Sequence, residues 1–392
     1  MFFIKGYFSM KKFLVSLMVA ALAVTSFVSC NKKKAEVEEK APLKVAMVTD
    51  YGDITDQSFN QTTYEACKAF CTENGLELRY YKPSNDSTEA RVASINAAIQ
   101  DDHNVVVLPG FAFSEALVKT VDEYPEVTFI ALDVSEFDVL SAAKSFGKPA
   151  SWKLPSNAFC AVYKEELPGF MAGYAAVKEG YKHLGFLGGM AVPAVIRYGY
   201  GFVFGAEKAA SEMGISKDVV VEYVYGGQFY GDQTITSAMD AWYQQRGVEI
   251  VFACGGGIWT SAAEAAAKVG GKVIGVDIDQ SALINKYGDG MCVTSAMKSL
   301  AATVFATLRS AVAGTFESDF GGDITALGLV SDSNIDENYV GLPTNNWAMK
   351  KFTLADYKKL VADMYNRKVT VSDDISAVPN VSVKLNVYSN IK

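Results

Sequence analysis

The sequence predicts an α/β protein built as two doubly wound lobes. Three observations lead there: short β-branched runs that alternate with helical stretches, a chain too long for one core, and a break midway through the alternation. Each run is followed by a polar or glycine turn and then by apolar residues three and four apart. That pattern implies parallel sheets covered by helices on both faces. Removing residues 1–42 leaves 350 of the 392, more than a single typical core holds.

Taken in order, the chain opens with Lys11-Lys12, an apolar run over 13–28 broken only by Ser16, Thr25 and Ser26, and then Ser29-Cys30. A basic segment, an apolar segment and a small residue before the cut describe an exported leader. The run is short of the roughly 20 residues that a spanning helix needs. With a cysteine at the cut, the segment resembles a bacterial lipoprotein signal. Residues 1–29 are therefore expected to be removed and Cys30 to carry lipid. Residues 30–42, charged and ending near Ala-Pro, read as a flexible tether. The remainder is expected outside the cytoplasm, facing the periplasm or exterior and held at a membrane.

Strands are predicted at 45–48, 78–81, 105–108, 127–132, 184–187, 219–225, 250–253 and 273–276. Thr63, Ala66, Cys67, Phe70 and Cys71 mark one intervening helix; Ala262, Ala263, Ala266 and Val269 mark another. Residues 141–157 interrupt the alternation with Gly, Pro, Ser and Trp152. Residues 43–160 are accordingly assigned to a first lobe and 161–294 to a second. A helix at 300–313 and an apolar run at 324–329 read as returning chain, so 295–330 is expected back on the first lobe. Residues 331–392 are expected to pack on the lobes. Ligands of such sheets bind in the crevice at the carboxyl ends of the strands.

Composition narrows the function. Half of the residues are hydrophobic and a fifth charged, as in soluble globular proteins. The formal charge of −8 becomes about −11 once Lys5, Lys11 and Lys12 leave with the leader, which argues against nucleic acid as a partner. His103 and His183 are the only histidines, leaving little room for histidine catalysis or most zinc sites. Apart from Cys30, the five cysteines cannot all pair. Cys67 and Cys71, four apart on one helix, read as small buried residues. No P-loop and no Gly-x-Ser-x-Gly elbow occurs, and no cofactor is implied.

The strand ends carry the polar groups. Asp50 follows Val48-Thr49, Asp133 follows Leu132, Gly255-Gly256-Gly257 follows Cys254, and Asp277 follows Val276. Ionised carboxylates only accept hydrogen bonds, so they select a ligand rich in N–H and O–H donors. The alternative is that each aspartate caps the next helix. Asp50, Asp53 and Asp56 are spaced by three, whereas a calcium loop spaces its ligands by two and ends in glutamate. Capping by Asp56 or Ser58 is the simpler account. Phe59, at a helix start, is either a core staple or an aromatic plate facing the crevice.

Residues 44–50 (Lys-Val-Ala-Met-Val-Thr-Asp) and Asp56-Gln57-Ser58-Phe59-Asn60-Gln61 resemble the basic membrane protein or PnrA-like lipoproteins. The likeness continues at Pro109-Gly110-Phe111, at 129–133, at Tyr163-Lys164-Glu165-Glu166, at Gly169-Phe170-Met171-Ala172-Gly173-Tyr174, at 185–189, at 251–256, at 274–280 and at 294–298. Members of that family are substrate-binding components of ABC importers for nucleosides. The resemblance implies Rossmann-like lobes in a type I periplasmic-binding-protein architecture, joined by crossover segments, and a chain that performs no chemistry. It also implies a purine nucleoside as ligand and a permease with a separate ATPase subunit as partner. Carried onto this chain, it makes Phe59 and Phe252 the plates that sandwich the base, with Asp50 and Asp133 at the base and Asp277 and Lys298 at the ribose. Asn60 and Gly255 join the ligand-binding set, Asp56 reaches the base or only caps the helix, and Phe229 is a reserve for the second plate. Two other classes remain open: a calcium-assisted nucleoside hydrolase built on Asp50, Asp53 and Asp56, and a receptor of similar architecture for a sugar or signalling molecule.

Overall fold

The chain from Leu43 onward is organised by two sheets. The structure, a computed structural model, describes residues 42–50 and 52–392. The expected leader, Cys30 and nearly all of the tether lie outside the described residues. In chain order the strands are β1 (Lys44–Val48), β2 (Glu77–Tyr81), β3 (Val105–Pro109), β4 (Thr128–Leu132), β5 (Ala158–Tyr163), β6 (His183–Gly188) and β7 (Val220–Tyr225). They continue with β8 (Ile250–Cys254), β9 (Lys272–Asp277), β10 (Cys292–Lys298), β11 (Ile324–Leu327), β12 (Val340–Gly341) and β13 (Lys384–Val387).

The first sheet has the order β11-β5-β4-β3-β1-β2, the second β12-β10-β9-β8-β6-β7-β13. All neighbours are parallel except β10 and β12. The central strands β3 and β8 are buried at every residue, as parallel strands between two helical layers must be. This is the α/β, doubly wound architecture that the sequence pattern predicts. All eight predicted strands are present. Of the five strands not predicted as such (β5, β10, β11, β12 and β13), β5 and β10 are the informative ones. Each is the fifth strand of its sheet in chain order, and β10 contains Ser295-Ala296, small residues with little strand signature.

Each of these fifth strands leads directly into a crossover. The chain leaves the first sheet after β5, returns to it after β10, and passes to the second again after β11. β5 runs to Tyr163 in the first sheet and β10 to Lys298 in the second, so both crossings lie a few residues beyond the divisions at 160 and 294 that the sequence suggests. The crossing segments hydrogen-bond to one another: Lys164 N–H to Leu327 C=O at 2.9 Å, Tyr339 N–H to Gly328 C=O at 3.0 Å, and Ser299 N–H to Tyr339 C=O at 2.8 Å. The helix Leu300–Ala313 packs on the helix Phe59–Asn74 of the first lobe, through Val304, Leu308 and Phe70 in one cluster.

Beneath the crossings, the helices Glu166–Glu179 and Pro193–Met213 meet at glycines. A Cβ on Gly169 or Gly173 would lie 2.2 or 2.0 Å from the carbonyl oxygens of Tyr198 and Phe202, and one on Gly201 equally close to that of Glu166. Only glycine allows this backbone approach, and it brings Arg197 and Tyr198 up to the β5 crossover. Cys67, Cys71, Cys160, Cys254 and Cys292 are all buried free thiols. Among the described residues no helix is long and apolar enough to cross a membrane.

Candidate ligand-binding site

The carboxyl ends of both sheets border a cavity of about 580 Å³. Asp50, Asp56, Phe59, Asn60, Asp133, Gly255, Asp277 and Lys298 line it, and so do Tyr198, Phe229 and Cys254. Phe252 does not. Its ring is fully buried and packs on Phe186, Tyr198 and Phe202 at centroid distances of 5.4, 5.8 and 5.5 Å. The expectation that Phe252 is a plate is therefore corrected. Side chains alternate faces along a strand, and position 252 points into the helical layer. The aromatic wall of the second lobe is Phe229, on the loop after β7. Its ring lies against glycines: a Cβ on Gly189 would be 2.3 Å from Phe229 Cδ1, and one on Gly255 2.7 Å. The glycine turns of both strand ends thus make room for an aromatic ring. Phe59, half-buried at the start of its helix, stands on the first lobe's wall.

Asp56 is on the wall, but its carboxylate is occupied. It accepts from the backbone N–H groups of Ser58, Asn60 and Gln61 at 2.9, 2.9 and 3.0 Å and from the Asn60 amide at 3.2 Å. It caps the helix, and the alternative base contact is set aside. Asp53 takes Lys82 at 2.9 Å, and Asp50 accepts from Gly52 N–H at 2.7 Å. The three aspartates thus serve separate partners, and among the described residues no group of three or more metal-ligating side chains is assembled.

Asp133 and Asp277 share an uncommon backbone. Both end a strand with positive φ, +60° and +64°. For a non-glycine residue this conformation is costly and concentrates at functional sites. Lys298, at the end of β10, lies 2.6 Å from Asp133 and 3.1 Å from Glu165, and Arg197 lies 2.6 Å from the other oxygen of Glu165. The Lys298 ammonium also sits 5.0 Å from the centre of the Phe59 ring and 5.6 Å from that of Tyr198. Asp277 accepts instead from Ser58 Oγ at 2.6 Å, and Gln280 donates to the Gln57 carbonyl at 3.0 Å. These two hydrogen bonds join the lobes directly. The grouping differs from the expected one: Asp133 stands with Lys298 and Asp277, while Asp50 stands apart beside Gly52, Asn60 and Gly110.

Burial pushes the Asp133 carboxyl up to about 6, against the pull of Lys298 and with the help of Glu165. Burial also raises Asp277. It would raise Glu165 as well, but Lys298 and Arg197 outweigh it and hold that group below the usual range. Asp133 Oδ1 and Asn60 Oδ1 are buried acceptors without a protein partner. A buried acceptor left unpaired costs about 1–3 kcal/mol, so both call for a donor from a bound molecule. Glu165, wholly buried behind the cavity wall, is the partner of Lys298 and Arg197 that the strand ends alone do not reveal. Its signal was available in the carboxylate pair Glu165-Glu166, which follows Tyr163-Lys164 at the end of a strand that the pattern does not predict.

The family model for ABC transporter substrate-binding proteins of the PnrA-like type matches residues 43–374. The chain belongs to this family. It is 29% identical over 296 residues to the ABC transporter nucleoside-binding protein BmpA of Lactococcus lactis, an alignment covering 71% of this chain and 77% of the relative. A Pyrococcus abyssi protein named as a lipoprotein is 24% identical, covering 82% and 76%. Among solved structures, an ABC transporter solute-binding protein of Aeropyrum pernix superposes with a TM-score of 0.62 at 22% identity, covering 85% of this chain and 88% of that one. This Bmp-family chain is therefore the substrate-binding component of an ABC transporter, a binding protein rather than an enzyme, with the type I solute-binding fold.

Proposed function

We propose that the protein is a lipid-anchored receptor that captures purine nucleosides between its lobes and delivers them to a membrane permease driven by a separate ATPase. The observation that carries this reading is one cavity with an aromatic ring from each lobe, Phe59 and Phe229, together with buried acceptors lacking partners. A base enters between the rings, where stacking contributes roughly 1–3 kcal/mol. Asp50 and Asn60 face its donor edge. Asp133, Lys298 and Asp277 meet the ribose, the carboxylates accepting from hydroxyls and the ammonium donating to an oxygen. A phosphate would stand against these carboxylates with Lys298 already paired, so nucleosides are favoured over nucleotides. The nucleoside-binding name of the Lactococcus lactis relative supports the ligand class, and the lipoprotein name of the Pyrococcus abyssi relative supports an anchor at Cys30.

The test is calorimetry with inosine, hypoxanthine and ribose, alongside the mass of whatever co-purifies. Tight inosine binding with weaker hypoxanthine is expected. A preference for a free sugar over inosine would replace this reading with a sugar receptor. For the anchor, Cys30→Ala should abolish labelling by a fatty-acid probe; unchanged labelling would remove Cys30 from the account.

A further inference from the structure

The family match ends at residue 374, yet the chain continues into ordered structure on the second lobe. β13 adds a strand outside β7 in parallel register, Lys384 opposite Val220 through Val387 opposite Tyr223. Among the described residues the first sheet has no counterpart to it. Its approach is fixed by Glu207, which accepts from the N–H groups of Ser382 and Val383 at 3.0 and 2.9 Å. Its inner edge is fixed by Glu222, 3% exposed, which accepts from Tyr388 Oη at 2.5 Å and Asn386 Nδ2 at 3.2 Å.

Beyond β13 the chain follows β7 to its end. The N–H of Tyr388 donates to Tyr223 C=O and that of Ile391 to Tyr225 C=O, each at 2.9 Å. Residue 392 therefore arrives beside the loop 226–232. Lys392 Nζ pairs with Asp232 and donates to Gln228 Oε1 at 3.1 Å. Gly227 is the contact point, since a Cβ there would lie 2.9 Å from the Lys392 carbonyl oxygen. The inner side of the same loop is Phe229, Tyr230 and Gly231 on the cavity wall. Its backbone is held to the cavity side by Gly226 N–H to Gly188 C=O and Gly227 N–H to Gly189 C=O, at 2.7 and 2.8 Å. The loop is thus clamped between the end of β6 within and residues 391–392 without. Asp232 also caps the following helix, accepting from Thr234 and Ile235 N–H at 2.9 and 3.0 Å, so the Lys392 contact reaches the loop and its helix together.

We propose that residues 375–392 form a strap, outside the family-matched region, that fixes the loop 226–232 and holds the Phe229 ring at the cavity wall. Lys392, Gln228 and Asp232 are positioning residues: none of the three acts on the ligand except through Phe229. Ordering such a loop before the ligand arrives lowers the cost of binding. The ligand side of this inference rests on the nucleoside reading above; the mechanical side does not.

The experiment compares the full chain with Lys392→Ala and Lys392→Arg, each also in a Phe229→Ala background. Amide hydrogen exchange over 226–232 and inosine affinity are measured together. Expected are faster exchange in that loop and an affinity loss of about three- to tenfold for Lys392→Ala, restored by Lys392→Arg and absent when Phe229 is already alanine. Unchanged exchange overturns the strap, whatever the affinity does. Faster exchange with unchanged affinity, or an equal affinity loss in both backgrounds, overturns its action through Phe229. If the unmutated protein binds no inosine, the nucleoside reading falls, and exchange alone decides whether the strap holds the loop.

Discussion

Around the cavity the two sheets repeat one strand order, β2-β1-β3-β4-β5 against β7-β6-β8-β9-β10. Their backbones repeat as well. Gly110 after β3 and Gly255 after β8 have φ of +127° and +131°, and Asp133 and Asp277 occupy matching left-handed positions. What differs is the cargo of the glycines. A Cβ on Gly110 would strike Asp50 Oδ2 at 2.8 Å, whereas one on Gly255 would strike the Phe229 ring. Where β1 ends in Asp50, β6 ends in Gly188-Gly189 and leaves space for that ring. The first lobe puts a carboxylate where the second puts an aromatic face. A duplicated frame thus carries two different walls, a carboxylate on one side and an aromatic face on the other, which on the proposed reading meet the donor edge and the flat face of a base.

The harshest way to break this comparison is to remove the group on which both halves converge. Lys298 ends a second-lobe strand but neutralises Asp133 of the first lobe and Glu165 of the crossover. Lys298→Met should cost about 3–5 kcal/mol of stability, the usual penalty for stranding one partner of a buried pair. Urea unfolding at neutral pH measures it. A variant as stable as the parent would mean that the lobes are not joined through this charge.

A sharper cut separates plate from core within the second lobe. Phe252→Ala should destabilise the protein by about 3–5 kcal/mol, as large-to-small changes at buried aromatics do, and leave the affinity of the folded fraction nearly intact. Phe229→Ala should do the reverse, weakening inosine binding by roughly 1–3 kcal/mol with little change in melting temperature. If the two variants exchange these behaviours, the assignment of the aromatic wall is wrong.

The matching aspartates provide the next test. If Asp277 accepts from ribose hydroxyls, Asp277→Ala should lose roughly 1.5–3 kcal/mol of inosine affinity, the range for hydrogen bonds to charged groups, and hypoxanthine should lose far less. Equal losses for nucleoside and base would separate Asp277 from the sugar.

Much of this frame was legible in the sequence because its signals are local. Parallel strands read as apolar runs, and aspartates and glycines directly after them mark the crevice. Of the residues expected to contact the ligand, all but Phe252 line the cavity. Phe252 failed because a resemblance gives a neighbourhood while the alternation of a strand gives a face, and position 252 lies on the wrong face. Phe229 could be suspected from its aromatic loop, but its seat depends on Gly189 and Gly255, which are distant in sequence. The Lys298–Asp133 pair and the Ser58–Asp277 bond join residues 165 and 219 positions apart. Such pairings follow from sheet order and have no local signature.

The gentlest test uses pH to distinguish the two aspartates without disturbing the frame. Asp133 accepts hydrogen bonds from a ligand most strongly when ionised, and with both oxygens; burial has moved its carboxyl up to about 6. Acid therefore works against binding: affinity should be level above pH 7 and fall as the pH drops through 6, by up to about tenfold between pH 7 and pH 5, equivalent to about 1.4 kcal/mol. An unshifted carboxyl, near 3.9, would leave affinity almost constant over that range. Calorimetry with inosine at several pH values reads the slope. Asp133→Asn should bind more weakly and flatten the slope around pH 6, and Asp277→Asn shows how much of the slope belongs to the other aspartate that burial raises. A slope that survives unchanged in Asp133→Asn would take the titrating group away from Asp133, and the first lobe would lose its claim to the pH-sensitive half of the site.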